Sequence, residues 1–337
     1  MALDRRAIPA GMTFHRWHGP DGWAHRAFAW PAATPKGSLA FLGGRGDFIE
    51  KYLEALAHWH ADGWSVAGFD WRGQGGSGRF LADPLVCHSR GFAPLVADLA
   101  AWLTQWQAAS PAPHVVVAHS MGAHLLLRAI VEQAAAPDRI ALLSPMIGIG
   151  LRHAPAPVIA LAARLAVALG RGERRIWEGD PGNYGDRMSS CPDRQEDKAW
   201  WKAARPEIAS GAPSWGWLAA ASASTRALPP PRLAAVAIPV LLVASERDPV
   251  IQVRAVRRAA AALPDAELML IPGTGHELLR EADARRLPVL ARIDDFLAPL
   301  LASSRARVSP TPHQNTGRTS CTVAPSSPPA PPRSPSP

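Results

Sequence analysis

The sequence predicts an α/β protein with a mostly parallel central sheet and helices on both faces. Short apolar segments of the kind that form buried strands recur along the chain, and longer segments with apolar residues at helical spacing lie between them. Strands and helices that alternate in this way form parallel sheets. The alternation stops for about ninety residues after residue 144, which indicates an insertion.

The predicted elements divide the chain into four regions. The strand-like segments span residues 23–30, 38–43, 64–70, 114–119, 140–144, 238–244 and 267–271. The helix-like segments span residues 48–61, 92–107, 123–133, 253–262 and 282–301. We predict a core in two parts, residues 1–144 and 237–302, with a cap or lid formed by residues 145–236. Residues 303–337 are rich in Pro and Ser and poor in large apolar residues, so a disordered tail is predicted.

The charge pattern does not favour nucleic acid as a partner. The formal net charge is +8, but half of it comes from arginines in the tail, which has no acidic residue. The rest of the chain has no basic run, so it lacks the electrostatic footprint of a nucleic-acid-binding protein. Modest attraction to anionic lipid headgroups is compatible with this charge.

Targeting signals and cysteine usage predict a cytoplasmic protein, with at most peripheral contact to a membrane. The N-terminal residues lack the apolar run of a signal peptide. The most apolar stretch, residues 154–170, is too short and too interrupted to span a bilayer. The three cysteines are isolated in the sequence, which fits a reducing compartment and predicts no metal site.

The most informative motif surrounds Ser120. An apolar strand-like run ends directly at His119-Ser120-Met121-Gly122, and a helix-like segment follows at once. A nucleophilic serine on a sharp strand-to-helix turn requires this context, with small residues two places before and after it. Ala118 and Gly122 occupy those places. The Met121 N–H, at the start of the helix, would stabilise developing negative charge. The alternative is that Ser-x-Gly forms only a tight turn.

Such a serine predicts an acid and then a histidine after later strands of the sheet. Asp248 follows the strand-like residues 238–244, and we assign it as the acid. It could also cap a helix that starts at Pro249. Glu246 is the alternative acid.

His276 is the predicted base. It follows the last strand-like segment and is flanked by glycines that permit a tight loop. His119, beside the serine, would point the wrong way to act as base. With Ser120 and Asp248, His276 predicts acyl transfer, in which the imidazole takes the hydroxyl proton and returns it to the leaving alcohol.

A second donor for the oxyanion is expected in the loop at residues 43–47, Gly-Gly-Arg-Gly-Asp. Its glycines permit close approach of the backbone to a substrate. We assign the Arg45 N–H, with the Gly44 N–H as the alternative. The Arg-Gly-Asp triplet is interpreted as a coincidence rather than an adhesion motif.

Together these motifs resemble the lysophospholipase and monoacylglycerol lipase branch of the α/β-hydrolases, which is of the serine aminopeptidase S33 type. The resemblance covers about residues 14–300 and rests on the stretches GGRGDFIEKYLEALAHWHADGWSVAGFDWRGQGGSGR, LADPLVCHSRGF, AHSMGAHL, SERDPV and GTGHELLRE. It implies an α/β-hydrolase fold with a helical cap inserted after the sixth strand. It also implies no cofactor and the same five site residues: Ser120, Asp248, His276, Arg45 and Met121.

The inserted segment carries five tryptophans: Trp177, Trp200, Trp201, Trp215 and Trp217. An apolar cap that shelters an acyl chain would need such side chains, although ordinary packing would use them equally well. We therefore predict a serine carboxylic ester hydrolase acting on monoacyl lipids, either lysophospholipids or monoacylglycerols. The alternatives are a general carboxylesterase, thioesterase or acyltransferase with the same triad, or a non-catalytic binding protein. The sequence gives no indication of oligomeric state.

Overall fold

A computed structural model of the chain describes residues 3–133, 135–149, 155–177 and 188–308. Within these residues, eight strands form one sheet in the order β1-β2-β4-β3-β5-β6-β7-β8. Strand β2 runs antiparallel to both of its neighbours, and the strands from β4 to β8 are parallel. The strands are β1 (Thr13–His18), β2 (Ala24–Trp30), β3 (Ser38–Leu42), β4 (Ser65–Phe69), β5 (His114–His119), β6 (Arg139–Leu143), β7 (Val240–Ser245) and β8 (Ala266–Ile271).

Helices cover both faces of this sheet, as predicted. The α-helices are α1 (Leu53–Ala61), α2 (Ala93–Ala109), α3 (Met121–Gln133), α4 (Ala156–Ala168), α5 (Pro192–Ala204), α6 (Trp215–Thr225), α7 (Pro230–Leu233), α8 (Val253–Ala262) and α9 (Asp283–Val308). Short 3-10 helices span Ile49–Tyr52, Pro206–Ile208 and Leu278–Arg280.

Strand β5 shows why the two faces are both buried. Val116 and Ala118 point into a core shared with α2, α3 and α8, whereas Val115 and Val117 point into a second core shared with α1 and α9. Successive residues of a strand face opposite sides, so a continuous apolar run is required where helices cover both. This is the pattern that the sequence shows at residues 114–119.

The strand order positions the two loops of the predicted site. Strand β5 lies between β3 and β6, with Ala118 opposite Leu42 and His119 opposite Leu143. Ser120 therefore directly follows β5, a strand in the middle of the sheet. The loop that contains Arg45 follows the neighbouring strand β3. The carboxyl ends of parallel strands meet at one edge, where α/β proteins usually bind their ligands.

Strand β1 was not predicted from the sequence. It pairs only with β2 at the edge of the sheet, and its residues are exposed or half-buried. An exposed edge strand lacks the apolar signature on which the assignment of the other strands depended. Counting β1, the insertion follows the sixth strand, because β6 ends at Leu143.

Other boundaries also differ from those predicted. The segment at residues 48–61 begins as a 3-10 helix and becomes α1 only at Leu53. Helix α9 runs to Val308, so the boundary predicted between residues 302 and 303 lies inside a helix. The rest of the predicted tail, residues 309–337, lies outside the described residues. No helix in the described part of the chain combines the length and apolar character needed to cross a bilayer.

The inserted segment lies between β6 and β7, which are neighbours in the sheet. Its described part contains α4, α5, α6 and α7, and α4 packs against α6. Residues 150–154 and 178–187 of the insertion lie outside the described residues.

The start of α3 packs against the end of β3 with no room for a side chain. A Cβ atom added to Gly122 would lie 2.4 Å from the Gly43 carbonyl oxygen and 2.9 Å from that of Leu42. Both neighbours are backbone atoms, so neither can move without shifting the strand. Gly122 therefore allows α3 to begin directly behind Ser120.

We expect Gly122→Ala to lower the free energy of unfolding by about 2–3 kcal/mol. Alanine is the better helix former by roughly 1 kcal/mol, so helix propensity alone predicts the opposite sign. Urea denaturation followed by circular dichroism measures the change. Gly91→Ala is the matched control, because a Cβ atom there would meet nothing within 4 Å. Equal stabilities of the two variants would contradict the packing constraint.

Candidate active site

Ser120 lies on a strained turn between β5 and α3. Its φ angle is +51°, in the left-handed region that residues other than glycine rarely occupy. The Ser120 N–H donates to the Leu143 carbonyl at 2.9 Å, and the Ser120 carbonyl accepts from the His124 N–H at 3.1 Å. These bonds fix the turn on both sides. The side chain is therefore directed away from the strand axis, above the edge of the sheet.

The structure brings Ser120, His276 and Asp248 together. The Ser120 Oγ and His276 Nε2 atoms are 2.9 Å apart, and the His276 Nδ1 and Asp248 Oδ2 atoms are 2.8 Å apart. A neutral imidazole with its proton on Nδ1 donates to the carboxylate and accepts from the hydroxyl through Nε2. The arrangement therefore prepares the hydroxyl to lose its proton to the imidazole.

Asp248 is held in a turn by two backbone donors. Its Oδ1 atom accepts from the N–H groups of Val250 at 2.8 Å and Ile251 at 3.0 Å. Burial raises the pKa of the Asp248 carboxyl. The opposing effect of His276, followed by that of these N–H groups, is larger, so the pKa lies below the ordinary value. The carboxyl is thus ionised at neutral pH.

Two other interpretations of residues 246–249 do not match the structure. Helix α8 begins at Val253, so Asp248 does not cap a helix starting at Pro249. Glu246 is exposed, and among the described residues its carboxylate makes no hydrogen bond to His276. Of the two carboxylates, only that of Asp248 is hydrogen-bonded to the His276 imidazole.

The loop after β3 lies against the nucleophile. A Cβ atom on Gly44 would be 3.0 Å from the Ser120 Cβ atom, which shows how closely the backbone approaches. The Gly44 N–H already donates to the Asp47 Oδ2 atom at 2.6 Å. Within the described residues, the N–H groups of Arg45 and Met121 have no hydrogen-bond acceptor. Of the two donors considered for this loop, Arg45 is therefore the one left available.

Asp47 organises a buried polar cluster behind this loop. In addition to Gly44, it accepts from the Tyr52 hydroxyl at 2.9 Å, and it contacts His119 Nδ1 at 3.1 Å and the Lys51 ammonium. Burial raises the pKa of the Asp47 carboxyl, but Lys51 and His119 lower it well below the ordinary value. The Asp47 carboxylate is therefore ionised, and each of these contacts stabilises its negative charge.

A second buried carboxylate, Glu277, directly follows the predicted base. It accepts from Lys51 Nζ at 2.6 Å and from Arg280 Nη1 at 2.5 Å. Burial raises the pKa of the Glu277 carboxyl, but Lys51, followed by Lys198 and Arg280, lowers it far below the ordinary value. Lys51 thus joins the loop after β3 to the loop that carries His276.

His119 is part of the same cluster. Its Nδ1 atom faces Asp47 and Tyr52, and its Nε2 atom lies 3.3 Å from the carbonyl oxygen of His276. It therefore contacts the backbone of the predicted base and not the Ser120 hydroxyl. The sequence did not single out Asp47 or Glu277, and the only local signal was the charged pair Asp47 and Lys51 four residues apart.

A cavity opens above Ser120 and His276. Its lining includes apolar residues, here called the apolar wall: Met146, Ile149, Ile176, Trp177, Trp217 and Leu218. Of the five tryptophans of the insertion, Trp177 and Trp217 line this cavity in the described part of the chain. Trp201 is buried elsewhere and donates to the Arg5 carbonyl, and Trp200 is 38% exposed. The insertion therefore supplies part of the cavity wall, but only some of its tryptophans contribute to that wall.

Comparison with known proteins gives the family. The model of the Hydrolase_4 family, described as serine aminopeptidase, S33, matches residues 33–283. The chain belongs to this family. The match covers strands β3 to β8 and all five predicted site residues, and it confirms the family resemblance of the sequence.

The relatives of this S33-family hydrolase include two curated lysophospholipases. A probable lysophospholipase L2 of Haemophilus influenzae is 27% identical over 282 residues, covering 81% of this chain and 88% of the relative. Lysophospholipase L2 of Escherichia coli (strain K12) is 30% identical over 274 residues, covering 75% of this chain and 78% of the relative. The prediction of an ester-hydrolysing enzyme is confirmed by the family and these relatives.

A solved structure supports the fold of this hydrolase. A soluble variant of monoglyceride lipase from Saccharomyces cerevisiae, in complex with a substrate analogue, has a TM-score of 0.67 and 16% identity. The match covers 88% of this chain and 98% of the lipase. The α/β-hydrolase fold is therefore confirmed.

The Asp47 cluster should dominate the stability of the S33-family hydrolase near its site. We expect Asp47→Asn to lower the free energy of unfolding by about 3–5 kcal/mol, because it leaves Lys51 buried with one carboxylate fewer. Asp62→Asn, which breaks the more exposed pair with Lys36, should cost less than about 1 kcal/mol. Urea denaturation at pH 7 measures both.

The stability of the wild type and of Asp47→Asn should also depend differently on pH. Since the pKa of Asp47 is lower in the folded than in the unfolded protein, its stabilising effect is complete above the ordinary value of 3.8 and is lost as the pH falls below it. The wild type should therefore lose stability more steeply on acidification than Asp47→Asn. Parallel pH profiles would show that Asp47 is not an ionised contact.

Proposed function

We propose that Ser120, His276 and Asp248 form the catalytic triad of an enzyme that hydrolyses carboxylic esters of monoacyl lipids. The observation that carries the proposal is the continuous chain of hydrogen bonds from carboxylate to imidazole to hydroxyl, at the base of a cavity with an apolar wall. Residues 145–236 act as the cap of this cavity. Cytoplasmic location, with peripheral contact to a membrane, stays a prediction.

The first half of the reaction acylates Ser120. His276 Nε2 takes the hydroxyl proton while Oγ attacks the ester carbonyl, and the carbonyl oxygen becomes an oxyanion. The N–H groups of Met121 and Arg45 donate to that oxygen. His276 then gives the proton to the leaving alkoxide, the carbon–oxygen bond breaks, and the alcohol departs from an acyl-enzyme. Asp248 orients the imidazole and stabilises its charged form.

The second half restores the enzyme. His276 takes a proton from water, the hydroxide attacks the acyl carbon, and the proton returns to Ser120 Oγ as the fatty acid leaves. General base catalysis and oxyanion stabilisation typically supply roughly 3–5 and 3–4 kcal/mol of the barrier reduction.

The apolar wall and the relatives support a monoacyl lipid as substrate. Met146, Trp217 and Leu218 offer a surface on which an acyl chain replaces water. The two curated relatives are named lysophospholipases, and the yeast structure is of a monoglyceride lipase. All three names describe esterases of lipids that carry one acyl chain.

Ser120→Ala should abolish release of fatty acid from palmitoyl-lysophosphatidylcholine, with a loss of at least roughly 10³-fold, because no other group replaces the nucleophile. Labelling of the wild type by a fluorophosphonate should disappear in the same variant. Ser110→Ala is the matched control, since Ser110 donates to the Trp106 carbonyl at the end of α2.

An unlabelled wild type would contradict the proposed triad. Turnover of short p-nitrophenyl esters without turnover of any long-chain monoacyl lipid would replace the lipid substrate by a general carboxylesterase. Faster cleavage of an acyl thioester, or transfer to an added alcohol, would indicate the thioesterase or the acyltransferase.

Asp248→Asn should lower kcat by roughly 10³- to 10⁴-fold, because the amide favours the wrong imidazole tautomer while keeping the shape of the side chain. Glu246→Gln removes a carboxylate two residues earlier and should leave kcat within about twofold. Steady-state hydrolysis of p-nitrophenyl butyrate measures both. A larger effect at residue 246 than at residue 248 would assign the acid to Glu246.

A further inference from the structure

The lining of the cavity above Ser120 also contains cationic residues, here called its cationic side. Lys51, Lys198, Lys202 and the side chain of Arg45 all border it. Lys198 and Lys202 lie one turn apart on α5 and therefore on the same helix face. Lys202 donates to the Ser210 carbonyl at 3.2 Å. Cations at this density require anions nearby, so the partners of each ammonium group matter.

The two carboxylates that border this side, Asp47 and Glu277, already have cationic partners. Lys51 and Arg280 occupy the two oxygens of Glu277. Asp47 uses one oxygen for Lys51 and the other for Gly44, Tyr52 and His119. Within the described residues, neither carboxylate forms a salt bridge with a further ammonium group.

Lys198 is not paired with either of these carboxylates. Within the described residues, no carboxylate or carbonyl oxygen lies within hydrogen-bonding distance of its Nζ atom. Lys198 also borders a second, smaller cavity with three carboxylates on its wall. Each of these is paired with an arginine instead: Glu50 with Arg26, Glu54 with Arg194, and Asp197 with Arg5.

An ammonium group in this position is destabilised by the loss of water. Burial lowers the pKa of Lys198 to about 8, and Glu277 offsets only part of this effect. At neutral pH the group is still mostly protonated, so the cavity contains a desolvated positive charge that no carboxylate of the described residues pairs with. An anion that enters the cavity would supply the missing partner.

We propose that Lys198 binds the phosphate of a lysophospholipid while Ser120 attacks its acyl ester. The proposal rests on the function proposed above and makes it more specific. The acyl chain lies along the apolar wall, and the phosphate, which only the glycerol backbone separates from the ester, reaches the cationic side of the same cavity. Lys198 thereby selects lysophospholipids over uncharged monoacylglycerols.

The test compares two substrates that differ only in the phosphate: 1-oleoyl-lysophosphatidic acid and 1-oleoylglycerol, in the same non-ionic micelles. The measured quantity is the ratio of their kcat/KM values. The wild type should prefer the phosphate-bearing lipid, and Lys198→Met should lower the ratio roughly 10- to 100-fold, since a hydrogen bond to a charged group is lost. Lys198→Arg keeps the charge and should keep most of the preference.

Lys36→Met is the matched control. Lys36 pairs with Asp62 on the surface, so the same chemical change there should leave the ratio unaltered. Each ratio is measured on a single preparation, so any loss of folded protein affects both substrates equally and cancels.

A second arm does not depend on lipid turnover. Dodecyl phosphate, dodecanol and inorganic phosphate are compared as competitive inhibitors of p-nitrophenyl butyrate hydrolysis. Lys198→Met should weaken inhibition by dodecyl phosphate by the same factor and leave that by dodecanol within about twofold. Inhibition by inorganic phosphate as strong as that by dodecyl phosphate would mean a free-phosphate site and would overturn the assignment to a lipid headgroup.

The outcomes separate this proposal from the one on which it rests. Turnover of both lipids with an unchanged ratio in Lys198→Met would overturn the role of Lys198 and leave the lipase function standing. Failure of the wild type to hydrolyse either lipid would overturn both.

Discussion

The backbone at Ser120 is the constraint on which the rest of the site depends. Its left-handed conformation is unfavourable for a residue with a side chain, and it persists because β5, β6 and α3 hold it from three sides. Gly122 permits this packing, since any side chain there would meet the backbone of β3. Packing and hydrogen bonds with β6 and α3 therefore offset the strain at Ser120. They hold its hydroxyl within hydrogen-bonding distance of His276.

A second level of order comes from buried charge. Burying Asp47 and Glu277 would be unfavourable if either were alone, but Lys51 contacts both and Arg280 contacts Glu277. Because Asp47 also binds Gly44, the same cluster fixes the loop that carries the Arg45 N–H. The positions of the nucleophile, the base and the oxyanion loop are thus linked through side chains that take no part in the reaction.

The sequence predicted those strands in which most residues are buried. Strands buried on both faces, such as β5, are continuous apolar runs, and the order of serine, acid and histidine follows from the strands that precede them. These features located Ser120, Asp248 and His276, which the structure brings into contact. Edge strand β1 could not be found in this way, because its residues are exposed or half-buried and it therefore has no continuous apolar run.

The buried cluster could not be predicted for a different reason. Its contacts join Asp47 and Lys51 to Glu277, more than two hundred residues later in the chain. Before the fold is known, a charged residue in an apolar segment is indistinguishable from one on a solvated face. The same holds for Lys198, whose proposed role depends on its surroundings in the described part of the chain and not on its local sequence.

The insertion leaves the sheet after β6 and returns at β7, and these two strands are hydrogen-bonded neighbours. Its two ends are therefore close together, although about ninety residues separate them along the chain. Ser120, Asp248 and His276 all lie outside it. A different segment grafted between the same two strands would have to restore the contacts of the insertion with the core, among them the bond from the Glu277 N–H to the Met188 carbonyl and the pair of Arg194 with Glu54. The fold thus separates the segment that contributes cap residues to the cavity from the strands that carry the three proposed catalytic residues.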